Sequence, residues 1–217
     1  LSDPISALEF NGYGTLKLLE AAIRAKVSKF IYLSTAHVYS SPLLGTITEE
    51  SRPTNPHPYA TSHLAGDQAV DSANKAGKIQ GFIFRLSNGF GAPMHEHVNC
   101  WMLLVNDLCK QAVISHQMTL KSSGNSERDF IGLTQVCQTI EKIAFQADRL
   151  NQSNLYNIGS GEAQSVMTMA KLIQQRCAYT LGFKPSINIG KPHTNTKSLN
   201  AKLTYCIDTY FFCIFII

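Results

Sequence analysis

Along the chain, short apolar runs alternate with longer stretches in which apolar residues recur every three or four positions. Leu16, Leu19, Ala22 and Ile23 share one face of a helix expected over 11–26, and the run KFIYLS at 29–34 reads as a buried strand. Prolines, glycines and Thr/Ser/Asn clusters make 40–58 a surface loop. A helix over 59–76 follows, with Leu64, Ala65, Ala69, Val70 and Ala73 at helical intervals after Pro58 and Gly77 closing it. The run IQGFIFRL at 79–86 predicts a second buried strand.

Further on, the spacing predicts a helix over 98–112 containing Trp101, Leu104 and Leu108, a strand at 118–121 and a polar loop to 129. An extended piece at 130–133, a helix over 134–148, a strand at 155–158, a Gly-Ser-Gly turn at 159–161 and a helix over 166–181 complete the pattern, which weakens after Gly182. Helices of about 15 residues alternating with six-residue strands imply βαβ units and a parallel sheet. In such sheets ligands sit beyond the carboxyl ends of the strands, where Ser34-Thr35 and Ser87-Asn88 fall.

Composition narrows the class. The 217 residues are 44% hydrophobic and 16% charged, as in a globular core. The net charge of +4 comes from scattered lysines and arginines, so neither nucleic acid nor a membrane surface has a footprint. No apolar span approaches the ~18–20 residues of a membrane helix. Six widely spaced cysteines without a C-x-x-C pair read as reduced thiols of a cytoplasmic protein. The chain starts in mid-pattern without Met, as expected of an N-terminally incomplete protein. The apolar residues 210–217 read either as a buried strand or as a replaced or cut terminus.

Candidate chemistry centres on 33–63. Thr35 follows a strand, and Tyr59 and His63 stand at i and i+4 on one helix face. A hydroxyl, a phenol and a basic neighbour make an acid–base group. His95, Glu96, His97 and Cys100 have metal-ligand chemistry, but their spacing matches no strong zinc pattern. A loop over the cleft, or plain surface, is the expectation there, with no metal site. Arg128 reads either as a site residue or as a surface arginine paired with Asp129 or Glu127.

Several segments together resemble the extended short-chain dehydrogenase/reductases, the NAD-dependent epimerase/dehydratase family (UDP-glucose 4-epimerase-like). They are N-G-Y-G-T-L-K-L-L at 11–19, L-S-T-A-H-V-Y at 33–39, Y-A-T-S-H at 59–63 and R-L-S-N-G-F-G at 85–91. R-D-F-I at 128–131 and Y-N-I-G-S-G at 156–161 complete the set. The resemblance implies a Rossmann-like doubly wound parallel sheet, lacking its first βαβ units here, with a small shortened C-terminal substrate lobe. It divides the chain into 1–165, a partial NAD(P)-binding domain with interleaved lobe segments, and 166–217, a lobe remnant. It implies Tyr59 as the acid–base, Thr35 as the hydroxyl on the reacting sugar oxygen and position 63 as the group on the nicotinamide ribose. Ser34 and Leu86 join Tyr59 and His63 as cofactor contacts, and Asn88 and Arg128 hold the sugar diphosphate. NAD or NADP is the implied cofactor, a nucleotide sugar the substrate, and a homodimer through helices 11–26 and 59–76 the implied assembly.

Dehydratases of this family carry T-D-E-V-Y where this chain has Thr35-Ala36-His37-Val38-Tyr39, so the resemblance favours 4-epimerisation. His37 is read as structural or solvent-facing, with a role as a base the alternative.

Two departures stand out. The glycine-rich G-x-x-G-x-x-G turn that approaches the cofactor pyrophosphate is absent, and its expected place is upstream of Leu1. His63 stands where the family has lysine. Bringing a phenol from pKa ~10 to about 7 takes roughly 4 kcal/mol, which a lysine ammonium supplies better than a mostly neutral imidazole. Impaired turnover is therefore expected, and a catalytically inactive binding or structural relative is the alternative function.

Overall fold

Asp3 caps the first helix, its carboxylate accepting the amide protons of Ile5 and Ser6, with Pro4 in the first turn. The computed structural model describes residues 3–146, 153–190 and 204–205. From this cap α1 (Pro4–Ala7), a π-helical segment (Leu8–Tyr13) and α2 (Gly14–Arg24) run on without a break. The helix thus starts well before residue 11. Ile5, Leu8, Phe10 and Tyr13 are all exposed there, so no one-sided apolar stripe marks the extra turns; the Asp-Pro cap was the readable signal.

A parallel sheet holds the centre. β1 (Lys29–Thr35) pairs with β3 (Gln80–Leu86), which pairs on its other edge with β7 (Leu155–Ile158). In this register Ser34 lies opposite Arg85, and Thr35 opposite Leu86. The middle strand is buried on both faces. Ile83 packs with Leu19 of α2 and with Val70 and Ala73 of α3 (Pro58–Lys75). Phe82 and Phe84 pack with Val136 and Ile143 of α5 (Leu133–Gln146). Helices on both faces of a parallel sheet give the doubly wound layering, and two-sided burial explains the unbroken apolar run of β3.

Close approach of helix and strand depends on Gly66. A Cβ there would meet the Tyr32 hydroxyl at 2.5 Å, so α3 rests directly on the ring. Any side chain at position 66 would displace either the Tyr32 ring or the helix that carries Tyr59.

A second core is built from 104–189. There β5 (Gln117–Leu120) pairs with β9 (Ser186–Ile189), and α4 (Leu104–Ser115) and α6 (Val166–Leu181) pack Leu108, Met118, Leu120, Met169 and Ile173 together. Between the two cores β4 (Asn88–Phe90) runs parallel to β6 (Glu127–Gly132), which pairs antiparallel with β8 (Ala163–Ser165). A two-residue β2 (Thr46–Ile47) within the loop pairs with β10 (Thr204–Tyr205).

The helix expected from 98 begins at Leu104. Leu103 is extended, and the Asn106 side chain exchanges two hydrogen bonds with the backbone of Gly91. Trp101 lies outside the helix, its ring beneath the Lys110 ammonium at 5.2 Å. The strands β8 and β9 carry no apolar run of their own and were not expected. Cys100, Cys109, Cys137 and Cys177 are free thiols. The apolar tail 210–217, Cys206 and Cys213 lie outside the described residues, as does much of 166–217 beyond Gly190. No helix among the described residues is long and apolar enough to cross a membrane.

Candidate active site

The carboxyl end of β1 delivers Thr35, 5% exposed, whose Oγ1 accepts the amide proton of His37 at 3.2 Å. That bond caps a single 3-10 turn, Ala36–Val38. Ala36 and Val38 are buried in a small apolar cluster with Tyr39, Leu43 and Ile47. The His37 carbonyl is held by Asn55 Nδ2 at 2.7 Å. The turn is anchored on both sides of His37, and the histidine lines the cavity beyond the strand.

The first turn of α3 delivers Tyr59. His57 caps the helix, its Nδ1 accepting the Tyr59 amide proton at 3.2 Å, and Pro58 presets the first helical position. One turn on, the His63 ring lies 4.4 Å from the Tyr59 ring between centroids. His63 Nδ1 is 2.7 Å from the Tyr59 carbonyl oxygen. A carbonyl can only accept, so Nδ1 carries the proton and a neutral ring leaves its lone pair on Nε2. Burial pushes the His63 pKa down, and the hydrogen bond to Tyr59 and the charge of Asp67 oppose this without reversing it. Position 63 therefore presents a neutral imidazole at pH 7, where the resemblance led to the expectation of a lysine ammonium.

The strand-end segments after β3 and at β6 close the site. Thr35, His37, Tyr59, Asn88 and Arg128 line one cavity of about 210 Å³, with Leu103, Val105 and Phe130 as part of its apolar wall. Among the described residues no carboxylate lines it. Asn88 Nδ2 donates to the Asp129 carbonyl at 2.9 Å, which ties β4 to β6. Fully buried Asp129 accepts from the Ser160 amide and hydroxyl at 2.9 and 3.0 Å and from the Gly161 amide at 2.8 Å. The acid of the R-D-F-I segment thus braces the 159–161 turn, and its neighbour Arg128 faces the cavity. Arg128 makes no ion pair among the described residues, so the expected alternative of a surface pair with Glu127 or Asp129 is not what forms. Burial lowers its pKa.

Three of the expected site residues do not line this cavity. His63 stands behind Tyr59. Leu86 lies beside Thr35 in the sheet and packs against the α5-side core. Ser34, 4% exposed, has no hydrogen-bond partner among the described residues and lies close enough to Asp67 to favour its ionised form. It belongs to the interior beneath the site. Among the described residues, His95, Glu96, His97 and Cys100 form no metal-binding cluster, and His97 touches only exposed Glu96, at 3.4 Å.

His37 is the site residue whose place the sequence concealed. It is half-buried in the cavity and does not face solvent as one of its readings had it. Burial, and secondarily the charge of Arg128, push its pKa down. Its signal was its position two residues after the site hydroxyl.

The cavity can be tested for NAD on these residues. Of the four residues that the resemblance implies as cofactor contacts, Tyr59 lines the cavity, where its hydroxyl suits a nicotinamide ribose, and Ser34, His63 and Leu86 do not. Among the described residues Gly89 is the one glycine in the lining, and none forms a cradle for a pyrophosphate. The fit extends to one end of the cofactor.

A family model described as NAD dependent epimerase/dehydratase family matches residues 1–159. The chain is 31% identical over 163 residues to dTDP-6-deoxy-L-talose 4-dehydrogenase (NAD(P)(+)) of Kitasatospora kifunensis, covering 73% of this chain and 50% of that protein. It is 32% identical over 176 residues to human dTDP-D-glucose 4,6-dehydratase, covering 79% and 47%. Among solved structures, UDP-glucuronic acid 4-epimerase from Bacillus cereus, in complex with UDP-glucuronic acid and NAD, superposes with a TM-score of 0.65 at 23% identity. That match covers 90% of this chain and 57% of the epimerase, and at this identity it speaks for the fold. The chain spans about half the length of the curated relatives it matches.

Proposed function

The chain belongs to the NAD dependent epimerase/dehydratase family, and from that premise we propose that its cavity holds the sugar of a nucleotide-activated substrate during hydride abstraction and return, as in 4-epimerisation. One observation carries this reading. Thr35, Tyr59, Asn88 and Arg128, spread over more than 90 positions of sequence, line a single cavity.

Each residue has a task its chemistry suits. The Tyr59 oxygen, in its deprotonated form, takes the proton of the sugar hydroxyl as that carbon becomes a ketone, and the phenol so formed gives it back on return. The Thr35 hydroxyl donates to the same oxygen and stabilises charge that develops there. Arg128, without a carboxylate partner among the described residues, pairs with the diphosphate, and Asn88 contributes an amide beside it. Leu103, Val105 and Phe130 exclude water from the reacting carbon. Tyr59 would stand at the nicotinamide end of NAD, which when bound would supply the hydride acceptor. Among the described residues no carboxylate lines the cavity, which supports epimerisation over loss of water, since that needs an acid for the leaving hydroxyl.

Two copies of the chain pairing through the 4–24 helical run and α3 belong to this reading, supported by exposed Ile5, Phe10, Tyr13 and Leu18. The free thiols support a cytoplasmic setting.

One observation favours a second reading, a binding protein that has lost turnover: the imidazole at position 63 is neutral and its Nδ1 is committed to a backbone carbonyl. Calorimetry with UDP-glucose and dTDP-glucose, followed by NMR of the same mixtures with NAD, separates the two. Binding with appearance of the 4-epimer supports the enzyme. Binding without turnover supports the second reading, and absence of binding by either nucleotide sugar removes both.

A further inference from the structure

We propose that Cys109 and Cys177 are a reversible oxidation site: under a peroxide they join in a disulfide that staples α4 to α6. The inference stands independently of the nucleotide-sugar reading. It concerns the second core, whose helix α4 supplies Leu104 and Val105 to one wall of the cavity.

The fold brings the two sulfurs together from distant parts of the chain. Helices α4 and α6 pack directly on each other, and each leads into a strand of one parallel pair, α4 into β5 and α6 into β9. The two helices therefore run side by side in the same direction. Cys109 lies six residues before the last residue of α4, and Cys177 four before the last of α6. Their levels differ by about half a helical turn. Val105, Leu108 and Ala112 mark the face that α4 turns to this core, and Cys109 stands at its margin, one turn after Val105. Cys177 belongs to the same core, next in line after Met169, Ala170 and Ile173 on α6. Packed helices run about 8–10 Å apart between axes, which leaves facing Cα atoms within the ~4.4–6.8 Å that a disulfide spans.

The two thiols differ in access. Cys109 is exposed and Cys177 is 7% exposed. A small oxidant reaches the first sulfur, and the second waits behind it to resolve the product. The closeness shows in charge as well: burial raises the Cys109 pKa, and Cys177 adds to the rise. A thiol held protonated reacts slowly, so the bridge answers sustained peroxide and not traces of it.

The step balances. Cys109 gives up its proton, its sulfur attacks one peroxide oxygen and the O–O bond breaks, leaving a sulfenic acid and, with that proton, one water. The Cys177 sulfur attacks the sulfenic sulfur, the S–O bond breaks, and the departing hydroxide takes the Cys177 proton as a second water. Two thiols lose two electrons and one peroxide is reduced to two waters. A dithiol reverses the bond by exchange.

The test exposes the folded chain to hydrogen peroxide, alkylates the remaining thiols in urea and maps tryptic peptides without reduction. The expected product links peptide 86–110 to peptide 177–197. It should persist in Cys100→Ser, which removes the other cysteine of 86–110, and vanish in Cys109→Ser. The linked chain should melt about 5 °C or more above the reduced one, and dithiothreitol should return it. Cys177 recovered alkylated, whether Cys109 is then a thiol or a sulfinic acid, overturns the proposal. A link from Cys100 in place of Cys109 overturns it likewise. So does a link that leaves the melting temperature unchanged or lower, because such a bridge would not staple the helices as they are folded.

Discussion

Arg85 Nε donates to Asp67 Oδ2 at 2.9 Å in the interior, where the two side chains are 6% and 4% exposed. The pair joins α3, which carries Tyr59 and His63, to β3, whose neighbour in the sheet carries Ser34 and Thr35. The guanidinium also lies over the Tyr39 ring at 4.7 Å, and the Tyr39 hydroxyl donates to Asn157 Oδ1 at 2.8 Å. Helix, central strand and β7 are thereby held in one polar network directly beneath the proposed site.

Breaking this pair from one side should be costly, because the remaining charge has nowhere to go. Asp67→Asn, or Arg85→Met alone, is expected to lose about 3–5 kcal/mol in urea unfolding, whereas Asp67→Leu with Arg85→Met should lose less than either. Asp67 Oδ1 lacks a hydrogen-bond partner and burial raises its pKa, so the charged pair is already incompletely compensated. Single variants within about 1 kcal/mol of wild type would show that water reaches the network.

Stability should fall on mild acidification through the two site histidines. His37 and His63 both have pKa values below the ordinary 6.5 in the folded chain. Between that folded value and 6.5 the unfolded chain binds protons the native one refuses. Their contribution is thus fully present above 6.5 and lost as pH falls through the folded values. Asp67 and Asp129, raised by burial, act with the opposite sign: their contribution is full below 3.8 and lost as pH rises through their folded values. Comparing wild type with His37→Asn/His63→Asn isolates the histidines. The stability difference between the two proteins should shift against wild type from pH 7.5 to 5.5, and a constant difference would refute the assignment.

Tyr59→Phe keeps the ring that packs on His63 and removes only the proton donor, while Thr35→Val keeps the shape of the strand end. If the enzyme reading holds, each should lower kcat by about 10²–10⁴-fold with little change in nucleotide-sugar affinity. Arg128→Ala should do the reverse and weaken binding first. Loss of affinity in Tyr59→Phe equal to its loss of rate would make the tyrosine a binding residue.

Much of this arrangement was legible because it rests on local rules. The unbroken apolar run of β3 announced a strand buried on both faces, and Pro58 marked where α3 starts and so where Tyr59 points. The early start of the first helix stayed hidden because its outer face is apolar too. Ser34 and Thr35 part company because adjacent strand residues point to opposite faces: Thr35 opens to the cavity and Ser34 turns into the interior toward Asp67. The Asp67–Arg85 pair and the inward place of His37 depend on contacts between residues 18 to 91 positions apart, which no local pattern encodes.

His63→Lys is the substitution that decides what this site has become. The imidazole spends Nδ1 on its own helix, on the carbonyl of Tyr59, and stays neutral near pH 7. A lysine would reach past that carbonyl, with its ammonium charged throughout this range and Asp67 one helical turn away to favour the charge. A cation beside the phenol stabilises phenolate and lowers the barrier to proton exchange with a sugar hydroxyl. His63→Lys should therefore raise kcat at pH 7 by tenfold or more and move the alkaline rise of the rate to lower pH, with nucleotide-sugar affinity unchanged. His63→Ala should leave the slow wild-type rate within a few-fold, since a neutral ring contributes little electrostatically. A wild-type rate already high, and lost in both variants, would mean that Nε2 of His63 takes a direct part in proton transfer and that the lysine is not missed.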